Sequence, residues 1–468
     1  VKPLLSPAPS AASAFPGCVI LPIGYCDPTA LCAAHAARPG TVWLDSAATD
    51  HPASQRSILA FAPRQTFRFT QAMVESPFDS LKNSALAGDR NGAAVIGYLG
   101  YETAARLERL QPPKPAAPAL PEAWFGVYDA VAVFDHAART AFVAASGWPE
   151  TEPPAVQTAA LERARAFAAQ LVESEAPPFE PWRLPWTPER SPAAYGDGIG
   201  TVLDYIRAGD IYQANLSLRF QAQAPRPEQI FDLYRRLRTN TAAPFGSYLR
   251  IDRETALLSA SPERFLHLAP DGRVRTQPIK GTRPRASDPA EDRRLRLGLR
   301  ENTKERAENL MIVDLMRNDL SRVCAPGTVT VPSLFAVESF PTVHHLVSTV
   351  EGRLQPNKTA SDLLAACFPG GSVTGAPKIR AMEIIRELEV APRGAYCGSL
   401  LLFTPDGAMD SSILIRTVSI ADGVAVAQAG SGIVADSDPA AEVRETWLKA
   451  RALLKSLDPA SESDLWAR

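Results

Sequence analysis

Gly209-Asp210-Ile211-Tyr212-Gln213-Ala214-Asn215-Leu216-Ser217 is the stretch at which the chain changes character. Before it, Ser191-Pro192 reads as an N-cap followed by proline in the first helical turn, where the missing N–H costs nothing and the fixed φ suits a helix start. The helix so opened is predicted to run to about Arg207 and to stop at Ala208-Gly209-Asp210. Strand signals then take over at Ile211 to Phe220, Phe245 to Ile251, Leu257-Leu258 and Phe265 to Leu268. A long helix is expected from Thr303 to Arg322. Strands are expected at Leu346 to Val350, Gly398 to Phe403, Ile413 to Ile420 and Val424 to Gln428, and a last helix from Pro439 to about Leu457. Helices mixed with antiparallel-looking strands, without regular strand–helix–strand alternation, argue for an α+β fold.

Outward from there, residues 1–150 alternate short β-rich runs (Val42-Trp43-Leu44; Ala94 to Leu99; Val127 to Phe134; Ala141-Phe142-Val143) with turns, a sheet-rich N-terminal region. Residues 151–190 read as an alanine-rich helix, Leu161 to Val172, and a proline-rich linker that Trp182 and Trp186 should make pack rather than float. Residues 191–458 carry the remaining elements, and 459–468 a tail. The 468 residues carry 49 basic against 51 acidic side chains, a net −2, so no basic field exists for nucleic acid or an anionic membrane. With 46% hydrophobic and 21% charged residues the composition is that of a soluble globular protein, which excludes disorder over the whole chain. Six cysteines without a C-x-x-C are too few for a disulfide scaffold and fit no zinc template. No secretory signal or membrane-length apolar run is evident, so a reducing, cytoplasmic location is expected.

Several clusters could carry chemistry. Glu305 and Glu308 lie three apart, hence on one helix face; Glu442 and Glu445 repeat the spacing, with Asp438-Pro439 as cap and first turn and Lys449 one turn beyond. Two such helices could hold a hard cation with oxygen ligands, Mg²⁺ being the best candidate, although such pairs are also common on solvated faces. Phe368-Pro369-Gly370-Gly371-Ser372-Val373-Thr374-Gly375-Ala376-Pro377-Lys378 is a glycine loop running into a helix, whose free N–H groups suit an anion. It has half of a phosphate loop, but Ala376-Pro377-Lys378 replaces the other half, which points to a carboxylate rather than a nucleotide. Gly430-Ser431-Gly432 is a second glycine turn. Ser261-Pro262-Glu263 and Pro278-Ile279-Lys280-Gly281-Thr282 pair a carboxyl that could act as an acid with a lysine that burial could turn into a nucleophile. His344-His345 offers a proton carrier or a structural hydrogen bond.

Taken in order, these segments resemble the chorismate-utilising enzymes over roughly residues 190 to 455: Gly209 to Ser217, Ser261-Pro262-Glu263, the helix of Glu305 and Glu308, His345-Leu346, the Gly370 to Lys378 loop, Arg416, Gly430-Ser431-Gly432, and the helix of Glu442 and Glu445. That family contains anthranilate, isochorismate, salicylate and aminodeoxychorismate synthases. The resemblance implies an anthranilate-synthase-like αββα layered fold, two packed antiparallel sheets flanked by helices. It implies Mg²⁺ ligated by Glu308 and Glu445, with Glu305 and Glu442 behind them through water. It implies a chorismate pocket lined by Gln213, Thr374, Tyr396, Arg416, Gly430, Gly432 and Lys449, His345 beside the ring, and Glu263 protonating the departing C4 hydroxyl. Trp43-Leu44-Asp45-Ser46 resembles the family's tryptophan-binding strand, with Asp for Glu, which makes Ser46 a candidate tryptophan contact.

Two positions sort the branches. The water-using branch carries a lysine base where this chain has Gln213, which favours ammonia as nucleophile. Pro-Ile-Lys-Gly-Thr stands where anthranilate synthases have Pro-Ile-Ala-Gly-Thr, so Lys280 points to the aminodeoxychorismate branch, with a covalent intermediate at ring C2 opened by ammonia at C4. An anthranilate-type lyase and a non-catalytic tryptophan- or chorismate-binding subunit are the alternatives. The resemblance also implies that the ammonia comes from a separate glutamine amidotransferase, since no nucleophilic cysteine in a glycine elbow is seen here.

Overall fold

The structure, a computed structural model, describes residues 15, 17–48, 54–83, 92–115, 118–173, 183–339 and 343–458. The 459–468 tail and Trp182 fall outside the described residues. Helix starts follow their caps: Ser191 Oγ accepts Ala194 N at 3.2 Å and opens the helix Pro192–Arg207, and Asp438 accepts Ala441 N at 2.8 Å and opens Pro439–Leu457. The helix expected from Leu161 begins earlier and spans Pro153–Gln170, because Pro153 and Pro154 occupy a first turn that tolerates proline. The helices Ile230–Asn240 and Pro289–Glu301 add to those expected.

Among the described residues the strands form two antiparallel sheets, of twelve and ten strands. The path through the larger runs Val19–Ile23, Thr140–Ala145, Ala130–Asp135, Arg56–Ala60, Thr41–Asp45, Phe245–Arg250, Ala256–Ser261, Thr417–Ala421, Val424–Val434, Gln213–Gln223 and Gly375–Ala376. The smaller carries Ile279–Pro284 at one end, next to Val343–Arg353, and Gln65–Phe69 at the other. Strands of residues 1–150 enter both sheets; Trp43 pairs with Tyr248 in mid-sheet, so this region shares its hydrogen bonds with the rest of the chain. Apolar side chains of both sheets, among them Ile58, Leu257, Ile96 and Trp124, meet in a core between them. The helices Pro192–Arg207, Ile230–Asn240 and Pro439–Leu457 cover the outer face of the larger sheet, and Thr303–Ser321 and Ala360–Cys367 that of the smaller. This is the αββα layering expected.

Two runs read as single strands are each a pair divided between the sheets. Val127 to Phe134 breaks at Asp129, with Ala123–Tyr128 in the smaller sheet and Ala130–Asp135 in the larger. Ile413 to Ile420 breaks at Arg416, which takes φ 50° between Met409–Ile413 and Thr417–Ala421. At Asp129 both halves are buried on both faces, so hydrophobicity runs on through the corner and does not mark it; at Arg416 a single exposed charge is the only interruption in the run. Among the described residues no helix is long and apolar enough to cross a membrane. All six cysteines are free.

Candidate active site

The chain passes from the larger sheet to the smaller between Ser261 and Arg264, and Glu263 sits on that crossing. Ser261 Oγ donates to Ile413 O at 2.6 Å, which fixes the turn against the strand that leads to Arg416. Glu263 is buried, and burial pushes its carboxyl up to about 7 against a hydrogen bond with Ser372, the charge of Lys280 and the Ile279 N–H. Such a group is half protonated near neutrality and can give a proton at physiological pH.

Lys280 lies on Ile279–Pro284, paired with Leu346, and the register slips between Lys280 and Thr282 at Gly281. Gly281 takes φ +79°, and a Cβ there would stand 2.8 Å from Glu305 Oε2. The bulge therefore lets the strand close onto the helix Thr303–Ser321 and aims the lysine inward. Its ammonium reaches the other sheet: a Cβ on Gly432 would lie 3.5 Å from Lys280 Nζ and 3.2 Å from Gln213 Nε2. Burial lowers the Lys280 amine below its ordinary range; Glu308, Glu263 and Glu445 pull it back up, Lys449 pushes it further down, and the net direction is down. Gln213 is fully buried, and neither its amide oxygen nor its nitrogen has a hydrogen-bond partner within the protein. Polar atoms so placed are waiting for a ligand or water.

The four glutamates stand at the N-terminal turns of two helices whose starts face each other, with Lys304 Nζ 3.8 Å from Glu442 Oε1. Burial raises Glu308, with Lys280 and Lys304 opposing and Glu442 and Glu445 adding to the rise. Burial also raises Glu445, but Lys449, 2.8 Å away, brings its net position below the usual range. Glu442 accepts Ser437 Oγ at 2.7 Å. Glu305 binds Arg283 through Oε1 at 2.8 Å, while its buried Oε2 has no partner within the protein. Among the described residues no three acidic, histidine or cysteine side chains stand close enough to form a closed metal site. An unpartnered carboxylate oxygen, and a Glu308 whose neighbours include two further carboxylates, nonetheless fit an oxygen-seeking divalent cation entering with its own waters.

His345 stands opposite Thr282, whose Oγ1 is 2.9 Å from Nδ1, and burial with Arg416 nearby holds the imidazole down at about 4, hence neutral at pH 7. Arg416 is accessible to solvent yet recessed, and the protein around it lowers its guanidinium. Thr374 is buried, with its hydroxyl on Gly370 O at 3.1 Å and its carbonyl on Asn215 N at 2.7 Å. Gly430 lies so close to the strand Gln213–Gln223 that a Cβ would meet Leu216 O at 2.5 Å, and its carbonyl takes Lys449 Nζ at 3.3 Å. Tyr396 packs in the core of the smaller sheet beside Arg393. Ser46 makes its hydrogen bonds with Arg56 and Ser57 rather than with these residues. It lines an 870 Å³ cavity with Pro244, Phe245 and Gly246, and its hydroxyl donates to Arg56 O at 2.6 Å.

One family description, chorismate binding enzyme, matches residues 41–455. The chain belongs to the chorismate-binding enzymes. Aminodeoxychorismate synthase component 1 of Salmonella typhimurium is 44% identical over 366 residues, 78% of this chain and 76% of that protein. Anthranilate synthase component 1 of Streptomyces coelicolor is 45% identical over 373 residues, 78% and 72% of the two chains. The crystal structure of anthranilate synthase component I from Streptococcus pneumoniae superposes with a TM-score of 0.74 at 31% identity, over 86% of this chain and 92% of that one.

Sequence reasoning assigned no role to several side chains that shape this chorismate-binding enzyme's site. Ser372 touches the Glu263 carboxyl, Thr282 fixes His345, and Arg283 and Lys304 neutralise Glu305 and Glu442. Ser372, Thr282 and Arg283 adjoin residues already singled out, and Lys304 precedes Glu305 directly, so adjacency was the available signal. Glu389 and Arg393 carried none.

Proposed function

We propose that this chorismate-binding enzyme aminates chorismate at C4, forming 4-amino-4-deoxychorismate, the precursor of para-aminobenzoate and folate. The observation that carries the reading is Lys280: a half-buried amine of lowered pKa between the two sheets, beside Gln213 and Gly432 and in the field of a half-protonated Glu263. In this reading Nζ bonds to ring C2 as the two ring double bonds shift and the C4 hydroxyl departs with the proton of Glu263, as water. Ammonia then bonds to C4, the double bonds return, the C2–Nζ bond breaks, and Glu263 recovers a proton from the new ammonium. Neutral His345 donates or accepts a hydrogen bond beside the ring. Thr374, Tyr396, Arg416, Gly430, Gly432 and Lys449 orient the carboxylates.

Glu308 and Glu445 would hold Mg²⁺ directly, with Glu305 and Glu442 through water. Bound there, the cation supplies charge neutralisation for the ring carboxylate. Relatives named as component 1 support a second component, for which we propose a separate glutamine amidotransferase that supplies ammonia. Tryptophan is the proposed ligand near Ser46.

The decisive test is incubation of the purified protein with chorismate, Mg²⁺ and either an ammonium salt or glutamine, with products separated by chromatography. A product that keeps the enolpyruvyl group, formed with ammonium and not with glutamine, is expected. The anthranilate synthase relative, matched at 45% identity, favours a second reading, release of pyruvate with amination ortho to the carboxylate. Anthranilate and pyruvate in equal amounts would replace the first reading with the second.

A further inference from the structure

The strand Gln213–Gln223 has a gap along its outer edge. Gly375–Ala376 covers it only at Gln213 and Ala214, and Thr187–Pro188 only at Phe220 and Gln221. Backbone groups between those points, buried and without a strand neighbour, need other partners. Asn215 N–H donates to Thr374 O at 2.7 Å and Arg219 O accepts Glu189 N–H at 2.9 Å, and between them Asn215 O and Ser217 N–H find their partners in one ion pair. Arg393 Nη2 donates to Asn215 O at 2.5 Å, and Glu389 Oε1 accepts both Ser217 N at 2.9 Å and Ser217 Oγ at 2.8 Å. Arg393 Nη1 also donates to Val373 O at 2.8 Å, the carbonyl directly before Thr374. Nε and Nη2 close a two-point bond to the Glu389 carboxylate at 2.9 and 2.8 Å, and the guanidinium lies 5.9 Å from the centre of the Tyr396 ring. The Arg393 backbone is held in turn: its N–H donates to Glu102 at 2.8 Å and its carbonyl accepts Gln428 at 2.9 Å. The Arg393 side chain is 1% exposed, so no water competes for these bonds.

We propose that Arg393 and Glu389 are positioning residues that set the substrate pocket. One planar guanidinium, stacked on the Tyr101 ring at 4.5 Å, fixes the strand of Gln213 and the peptide that presents Thr374, two positions contributed by separate stretches of chain, beside Tyr396. A planar fork reaches three acceptors in set directions, which a lysine point charge does not. The proposal rests on the reading of the Lys280 neighbourhood as a chorismate site, but not on which product forms there.

Its test compares wild type with Arg393→Lys, Glu389→Gln and Ser217→Ala. Chorismate affinity is titrated without ammonia, steady-state rates are measured with ammonium chloride, and both are taken well below each protein's melting temperature. Chorismate Kd and KM should rise about three-fold in Ser217→Ala and at least ten-fold in Glu389→Gln and Arg393→Lys, with the KM for ammonium within two-fold of wild type. Ser217→Ala removes one hydroxyl and no charge, so it reads the effect even if a charge variant fails to fold. Folded variants that bind and turn over chorismate as wild type does, with a lowered melting temperature as their only defect, would overturn the proposal. Wild-type protein that does not bind chorismate would instead overturn the site reading on which it rests.

Discussion

At the residue scale the chemistry turns on two side chains whose proton affinities approach each other. Burial lowers the Lys280 amine below its ordinary range and raises Glu263 to about 7, so the acid is competent near neutral pH and the two shifts run toward each other. Lys280→Ala should abolish covalent trapping of chorismate. Intact-protein mass spectrometry after incubation with chorismate and Mg²⁺ without ammonia should show an adduct on wild type, mapped by digestion to Lys280, and none on the variant. An adduct of equal yield in both proteins removes Lys280 from the nucleophile role. Glu263 sets a pH limb: its protonated form is lost as pH rises through about 7, so kcat/KM should fall there, and Glu263→Gln should lose that limb along with roughly 10²-fold or more of the rate. The sign for stability runs the same way. A carboxyl raised above its unfolded value makes the folded state bind the extra proton, so its contribution declines as pH rises from about 4.5 to about 7, a slope that Glu263→Gln should remove from melting curves. A rate profile flat across pH 7 in wild type would sink the assignment of the acid.

At the element scale the site is a meeting of edges and ends: the bulged strand Ile279–Pro284, two helix N-termini, and the crossings between sheets that carry Glu263 and Arg416. Replacing Glu308 or Glu445 by Gln removes one charge from the proposed cation site without touching a core contact. The Mg²⁺ concentration for half-maximal activity should rise at least ten-fold while circular dichroism and melting temperature hold; an unchanged Mg²⁺ requirement would separate these carboxylates from the metal. Much of this was legible in the chain. Caps such as Ser191 and Asp438 fix helix starts through local hydrogen bonds, so both helices begin where the sequence says. The i,i+3 glutamates and the Lys-Gly step carry their geometry within a few residues. The corner at Asp129 was not legible, because an apolar run buried on both sides of a corner looks like one long strand, and one exposed charge at Arg416 did not suffice to mark the other. Nor was the Arg393–Glu389 pair, whose partners Asn215 and Ser217 lie more than a hundred residues away.

For the whole molecule, the interleaving of the chain's beginning and end decides what can fold alone. Thr41–Asp45 pairs with Phe245–Arg250 on one side and Arg56–Ala60 on the other, and Ala94–Leu99 lies between Ser399–Phe403 and Ala123–Tyr128. A fragment of residues 191–458 would expose long unpaired edges and half of the core between the sheets. It should be recovered unfolded or aggregated, and co-expression with residues 1–190 should restore soluble material; a monomeric fragment with a cooperative melt would contradict this. The same interleaving has a consequence during synthesis. Asp45 must wait for Gly246 to be made, about 200 residues later, which at ~5–20 residues per second is on the order of 10–40 s on the ribosome. Throughout that interval Val42, Trp43 and Leu44 sit in a nascent strand that has Arg56–Ala60 on one side and an open edge on the other. That open edge is a template for mispairing for as long as it waits, so slowing synthesis lengthens the exposure in direct proportion.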